Sequence, residues 1–159
     1  MKRAITYGII LALLFIVACA QVPQQPAAPA GPTEGYAVHI AATKHAGTQP
    51  ELFVHHYCKG LPSGVLQCQL YDSDKPEARL IGAEIIVPTP VWAKFDAEEK
   101  KNWHGHTEEL TRVELQTFGM TDAEVEALKE TLGKTHGKVI IFWDPKREYP
   151  DTAPTVSII

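Results

Sequence analysis

The chain of 159 residues carries 15 Lys and Arg against 19 Asp and Glu, a formal net charge of −4, and 45% of its residues are hydrophobic. No basic cluster offers a face for phosphates, which excludes nucleic acid as an expected partner. The hydrophobic share is that of a globular chain with one real core.

The N-terminus has its own logic. Lys2 and Arg3 precede an apolar run over residues 5–17, which closes on Ile16-Val17-Ala18-Cys19. This is the pattern of a secretory signal ending in a lipobox: the small Ala18 suits the cleavage position, and Cys19 supplies the thiol that takes lipid. The apolar run is shorter than the roughly 20 residues a membrane-spanning helix needs. The expectation is a bacterial lipoprotein, with a signal peptide over residues 1–18 and the mature chain held to a membrane of the cell envelope through lipid on Cys19. More than one acyl chain on a single residue gives firm attachment. Ala20, where inner-membrane lipoproteins usually carry Asp, points to the outer membrane in a host that has two. Residues 19–35 form the lipidated cysteine and a Pro/Ala/Gln-rich linker with the composition of an extended spacer.

Residues 36–159 are expected to form one domain. Residues 36–42 alternate as a first strand, Gly47-Thr48-Gln49-Pro50 breaks the chain, and residues 51–59 fit either a short helix or an extended segment. After the turn Gly60-Leu61-Pro62-Ser63-Gly64, residues 65–71 alternate as a half-buried strand. Asp72-Ser73-Asp74-Lys75-Pro76-Glu77 is turn chemistry leading to a second strand over residues 78–87, so the two pair as an antiparallel hairpin. Pro88 and Pro90 end it, and residues 91–95 fit one helical turn. Asp96 with Glu99 opens a helix over residues 97–103, and Thr121 with Glu124 makes a capping box for another that runs to Leu132 and ends at Gly133. Residues 107–115 alternate weakly as a strand, residues 138–143 are rich in β formers, and the tail is irregular. Without a regular βαβ alternation, the fold class is α+β, mainly antiparallel sheet with a few short helices.

Three cysteines occur in the whole chain. Lipidation of Cys19 leaves Cys58 and Cys68 in an oxidising compartment, where a disulfide, two buried thiols and a metal ligand are the available readings. Of the seven histidines, five lie in three groups: His55-His56, His104-Gly105-His106 and His136. In an extended chain a His-x-His pair puts both imidazoles on one face, about 7 Å apart and close enough to share a cation. Glu109 or Glu108 adds a carboxylate, and His56 or His136 completes a set suited to zinc, iron or manganese. The alternative is a structural hydrogen-bond network of the same residues. Thiol redox chemistry at Cys58 and Cys68 requires a readily reducible pair.

Read together, several short motifs carry a resemblance. They are His55-His56-Tyr57-Cys58, Gln67-Cys68, Tyr71-Asp72-Ser73-Asp74, and Ala78-Arg79-Leu80-Ile81-Gly82 with Glu84. Glu98 to His106, Glu109, and Gly133-Lys134-Thr135-His136 with Trp143 continue the series in order. The chain resembles the oil-body-associated protein family, departing from it at Gly105, where that family usually has serine. The resemblance implies a domain of unknown biochemistry whose plant members associate with lipid droplets. It also implies that His56, His104, His106, Glu109 and His136 are retained as a polar set. The two functions expected are thus a divalent-metal domain, and a non-catalytic envelope or lipid-associated protein.

Overall fold

A computed structural model describes residues 31–159; the expected signal sequence, the lipobox pattern at Cys19 and the expected linker up to residue 30 lie outside the described residues. The strands are β1 (Val38–Ala42), β2 (Val54–Gly60), β3 (Leu66–Tyr71), β4 (Leu80–Pro88), β5 (His104–Gly105), β6 (Leu115–Thr117), β7 (Thr135–Ile141) and β8 (Thr155–Ser157). They form one antiparallel sheet in the order β5-β7-β4-β3-β2-β1-β6, with β8 sharing the β5 edge of β7. The helices are short: α1 (Thr89–Trp92), α2 (Ala97–Lys100), α3 (His106–Glu109) and α4 (Asp122–Leu132). The fold is therefore mostly antiparallel sheet, as expected, with little helix.

Directly paired residues share a sheet face, so register decides what meets. One inward row runs Cys58, Cys68, Glu84, Val139, and the next runs His56, Leu70, Gly82, Ile141. Beyond them Ile86 pairs with Gly137, and Gly137 with His104. These rows carry the apolar core of Val54, Leu70, Val139 and Ile141 with the Cys58–Cys68 disulfide, closed by Leu132 from α4. The same inward face thus holds apolar residues and three ionisable ones. Alternation sends His39, His55, Tyr57 and Tyr71 to the opposite face.

Local chemistry explains most element ends. Thr121 and Glu124 form the expected capping box of α4, and Asp96 caps α2 by accepting from Glu99 N–H at 2.8 Å. Asp72 accepts from both the backbone N–H and Nε of Arg79, at 2.9 and 2.6 Å, so the acidic run is a turn. One open alternative is decided and two expectations are corrected. Residues 51–59 yield strand β2, because β1 and β3 pair with it on both sides. Residues 107–115 do not form a strand; Glu108 and Glu109 suit the first turn of α3, where acidic side chains meet the positive helix end, and only β6 follows. The tail contributes β8, held by β7. Among the described residues no helix is long and apolar enough to cross a membrane.

Candidate metal centre

Six ionisable side chains converge on the inward face: His45, His56, Glu84, His104, His106 and Glu109, all of them buried. His56 and Glu84 come from the central strands β2 and β4. His104 comes from β5; Gly105, still extended at φ −91 and ψ 124, carries the chain into α3, so His106 falls back on the same side. Glu109 follows one helical turn later, three residues from His106. His45 enters from the loop after β1, where Lys44 adopts a left-handed φ of 69 and the chain reverses. A left-handed backbone at a residue with a Cβ costs roughly 1–2 kcal/mol. Gly137 makes room for the group: a Cβ there would lie 2.2 Å from Glu84 Oε1 and 2.7 Å from His104 Nε2.

The backbone fixes which nitrogens face the centre. His45 Nδ1 donates to Thr43 O at 2.9 Å and His56 Nδ1 to Val54 O at 2.8 Å. A carbonyl only accepts, so both Nδ1 atoms carry a proton. Thr135 Oγ1 donates to Leu132 O and therefore accepts from His106 Nδ1 at 2.7 Å. In each of the three rings Nε2 is then the nitrogen left to face inward, a bare lone pair whenever the ring is neutral. What it meets is carboxylate: His45 Nε2 is 3.1 Å from Glu109 Oε1, His56 Nε2 3.5 Å from Glu84 Oε2, and His106 Nε2 3.3 Å from an oxygen of each glutamate. His104 Nε2 stands 3.2 Å from Glu109 Oε2 and 3.5 Å from Glu84 Oε1, yet neither of its ring nitrogens makes a hydrogen bond. His56 Nε2 and Glu109 Oε2 are likewise buried without a hydrogen-bond partner.

The electrostatics follow from that crowding. Burial opposes charge on His104, but the carboxylates of Glu109 and Glu84 outweigh it and raise the imidazole to about 9. His45 is raised in the same way, burial being overcome chiefly by Glu109. His56 goes the other way, to about 4, because burial and the neighbouring His45 outweigh Glu84. Burial works against ionised Glu109, yet His104 and His45 bring it to about 2; Glu84 is held well below the usual carboxylate range against its burial by His104 and His106. Donor atoms of His45, Glu84 and His104, and of His104, His106 and Glu109, lie within 4.8 Å of one another, close enough for each trio to hold an ion.

Of the residues singled out from sequence, the structure brings His56, His104, His106 and Glu109 together and leaves His136 out. His136 lies between Thr135 and Gly137 on β7, both of which face inward, so alternation turns it to the other side. There its ring stacks on Trp92 with centroids 3.9 Å apart, and Nδ1 lies 3.3 Å from Thr89 Oγ1. Glu108 is exposed on α3. His45 and Glu84 were missed. Glu84 had a signal, as a lone carboxylate in the otherwise apolar run Ile81 to Val87; His45 had none, because a loop brings it in. Cys58 and Cys68 form a disulfide beside Glu84, both 3% exposed, which removes them as ligands.

Fold and centre together define a small antiparallel-sheet protein with a sealed cluster of four histidines and two glutamates against its inner face. Residues 30–156 match the family described as "Protein of unknown function (DUF1264)", and the chain belongs to that family. It is 37% identical over 94 residues to oil body-associated protein 2B of Zea mays, covering 59% of this chain and 38% of that protein. To oil body-associated protein 1B of Arabidopsis thaliana it is 36% identical over 104 residues, 64% of this chain and 43% of the relative. Oil body-associated protein 2A of Zea mays is 39% identical over 84 residues, 50% of this chain and 33% of that protein. The chain thus spans less than half the length of the curated relatives it matches. No solved structure matches it.

Proposed function

We propose that the protein is a lipid-anchored domain of the bacterial cell envelope that holds a divalent metal, zinc, iron or manganese, in its His/Glu centre. One observation carries the metal: His45, His56 and His106 each commit Nδ1 to an oxygen of the chain and turn Nε2 on carboxylate oxygens at 3.1–3.5 Å. Two ligands at roughly 2.0–2.2 Å from one tetrahedral ion stand about 3.3–3.5 Å apart, whereas an N–H···O bond prefers about 2.9–3.0 Å. An ion binds Nε2 and carboxylate together without a proton between them, and imidazole with carboxylate suits these metals. Thr43 O, Val54 O and Thr135 Oγ1 then act as the outer contacts that orient ligating imidazoles.

The second reading is a non-catalytic protein in which His45 and His104 are imidazolium ions balancing the two glutamates; their raised pKa values favour it. It leaves His56 neutral with Nε2 unbonded beside Glu84, and that favours the metal. The names of the relatives speak of oil bodies; in this chain the lipobox at Cys19 supports membrane attachment by itself.

The test is elemental analysis of the full chain, extracted in detergent and purified without a polyhistidine tag. Near-stoichiometric metal that falls in His104→Ala/His106→Ala is the expected result. A protein that stays metal-free after loading with zinc, ferrous iron and manganese overturns the proposal.

A further inference from the structure

The two carboxylates sort the four imidazoles into pairs. Glu109 turns Oε1 to His45 at 3.1 Å and Oε2 to His104 and His106 at 3.2 and 3.3 Å. Glu84 turns Oε2 to His56 at 3.5 Å and Oε1 to His104 and His106 at 3.5 and 3.3 Å. Glu109 Oε1 thus faces His45 and Glu84 Oε2 faces His56, while the other oxygen of each glutamate faces both His104 and His106. The ring centroids agree: 4.6 Å apart within the first pair and 5.1 Å within the second, against 6.1 Å between His45 and His104.

A single ion would use this arrangement poorly. It would take one oxygen from each glutamate, and the second oxygen of each, with the imidazole it faces, would be left outside the coordination. Two ions use every donor. Each receives two nitrogens and two oxygens, the four-coordinate set that first-row ions accept, and such paired ions lie about 3.5–4 Å apart. We propose that the centre is dinuclear, with one first-row divalent ion on His45 and His56, the other on His104 and His106, and Glu84 and Glu109 each bridging both ions through their two oxygens. This rests on the metal reading above and adds its stoichiometry and wiring.

Two further features fit. Two divalent ions exceed the charge of two carboxylates, and a small anionic bridge such as hydroxide lowers that excess without cancelling it. A cavity of about 20 Å³ opens between His45, His56, Glu84, His106 and Glu109 on one side and apolar core residues such as Ile86, Leu110 and Leu132 on the other, room for one water-sized ligand, which needs on the order of 10–15 Å³. Gly137 matters for the same reason, since a Cβ there would enter the gap between Glu84 Oε1 and His104 Nε2, where the second ion sits.

The experiment is a manganese titration of the full chain in detergent, stripped with chelator and reloaded, read by elemental analysis and electron paramagnetic resonance. Two ions per chain with the exchange-coupled spectrum of a manganese pair are expected. His45→Ala/His56→Ala and His104→Ala/His106→Ala should each retain one ion, with the six-line spectrum of an isolated one. The wild-type stoichiometry and spectrum decide the matter even where a variant fails to fold. One uncoupled ion per wild-type chain overturns the dinuclear centre and leaves the metal reading standing; no bound ion overturns both.

Discussion

Replacing Gly137 by Ala is the sharpest structural perturbation of the centre. The added Cβ would lie 2.2 Å from Glu84 Oε1, 1.2 Å inside the 3.4 Å at which ordinary contact begins, and 2.7 Å from His104 Nε2. Neither neighbour has a free direction, because both are packed among the other ligands. Overpacking of this kind costs about 1–3 kcal/mol, offset by the roughly 0.5–1 kcal/mol that Ala gains over Gly within a strand. Ligand geometry suffers more: metal sites tolerate displacements of about 0.2 Å, and even disturbed outer contacts cost about 10–100-fold in affinity. At a free metal concentration of about 100 times the wild-type Kd, binding stabilises the wild type by about 2.7 kcal/mol; a 100-fold weaker site gains only about 0.4 kcal/mol. The assay is thermal unfolding of the detergent-solubilised chain in chelator and in zinc. Gly60→Ala, whose Cβ meets nothing within 4 Å, is the control. A Gly137→Ala protein that keeps the full metal-induced rise in Tm refutes the reasoning.

Metal uptake at pH 7 should release about one proton from His104, raised to about 9, and a further share from His45, whose imidazole is also raised. Affinity then climbs with pH and levels off above about 9; calorimetry in buffers of different ionisation heat checks the release. For the metal-free protein the sign reverses. The stabilisation from imidazolium His104 is complete below about 6.5 and is lost as pH rises through about 9, so Tm in chelator falls across that window. His136→Ala leaves metal content unchanged and costs about 0.5–1.5 kcal/mol through the lost stack on Trp92; loss of metal would place His136 in the centre. Replacing Cys58 and Cys68 together by Ala lowers unfolding free energy by about 2–3 kcal/mol for a sequence separation of 10, measured in urea. Lys44→Gly relieves the left-handed φ of 69 and should be neutral or stabilising by up to about 1 kcal/mol, with metal binding intact.

What was legible in the sequence is what depends on neighbours along the chain. The alternation around Cys68, the capping box of Thr121 and Glu124, and His-x-His around Gly105 each act over a few residues, and each has a counterpart in the fold. The centre itself is assembled across strands. Glu84 lies 25 residues from Glu109 in the chain and meets it only because β4, β7 and β5 stand side by side. His45 depends on a left-handed turn that no propensity of lysine announces. His136 misled because proximity to Thr135 and Gly137 in sequence means opposition in a strand. Residues 107–115 misled because weak alternation competes poorly with the helix that buries His106 and Glu109 together.

The most direct measurement is anomalous diffraction from crystals of the full chain, reloaded with zinc or manganese and collected at the metal edge. The account predicts anomalous density between Glu84 and Glu109, within metal–ligand distance, roughly 2.0–2.3 Å, of imidazole Nε2 atoms, and resolved into two peaks if the centre is dinuclear. A reloaded crystal with no anomalous density at His45, His56, His104 and His106, and with those rings in place, contradicts it.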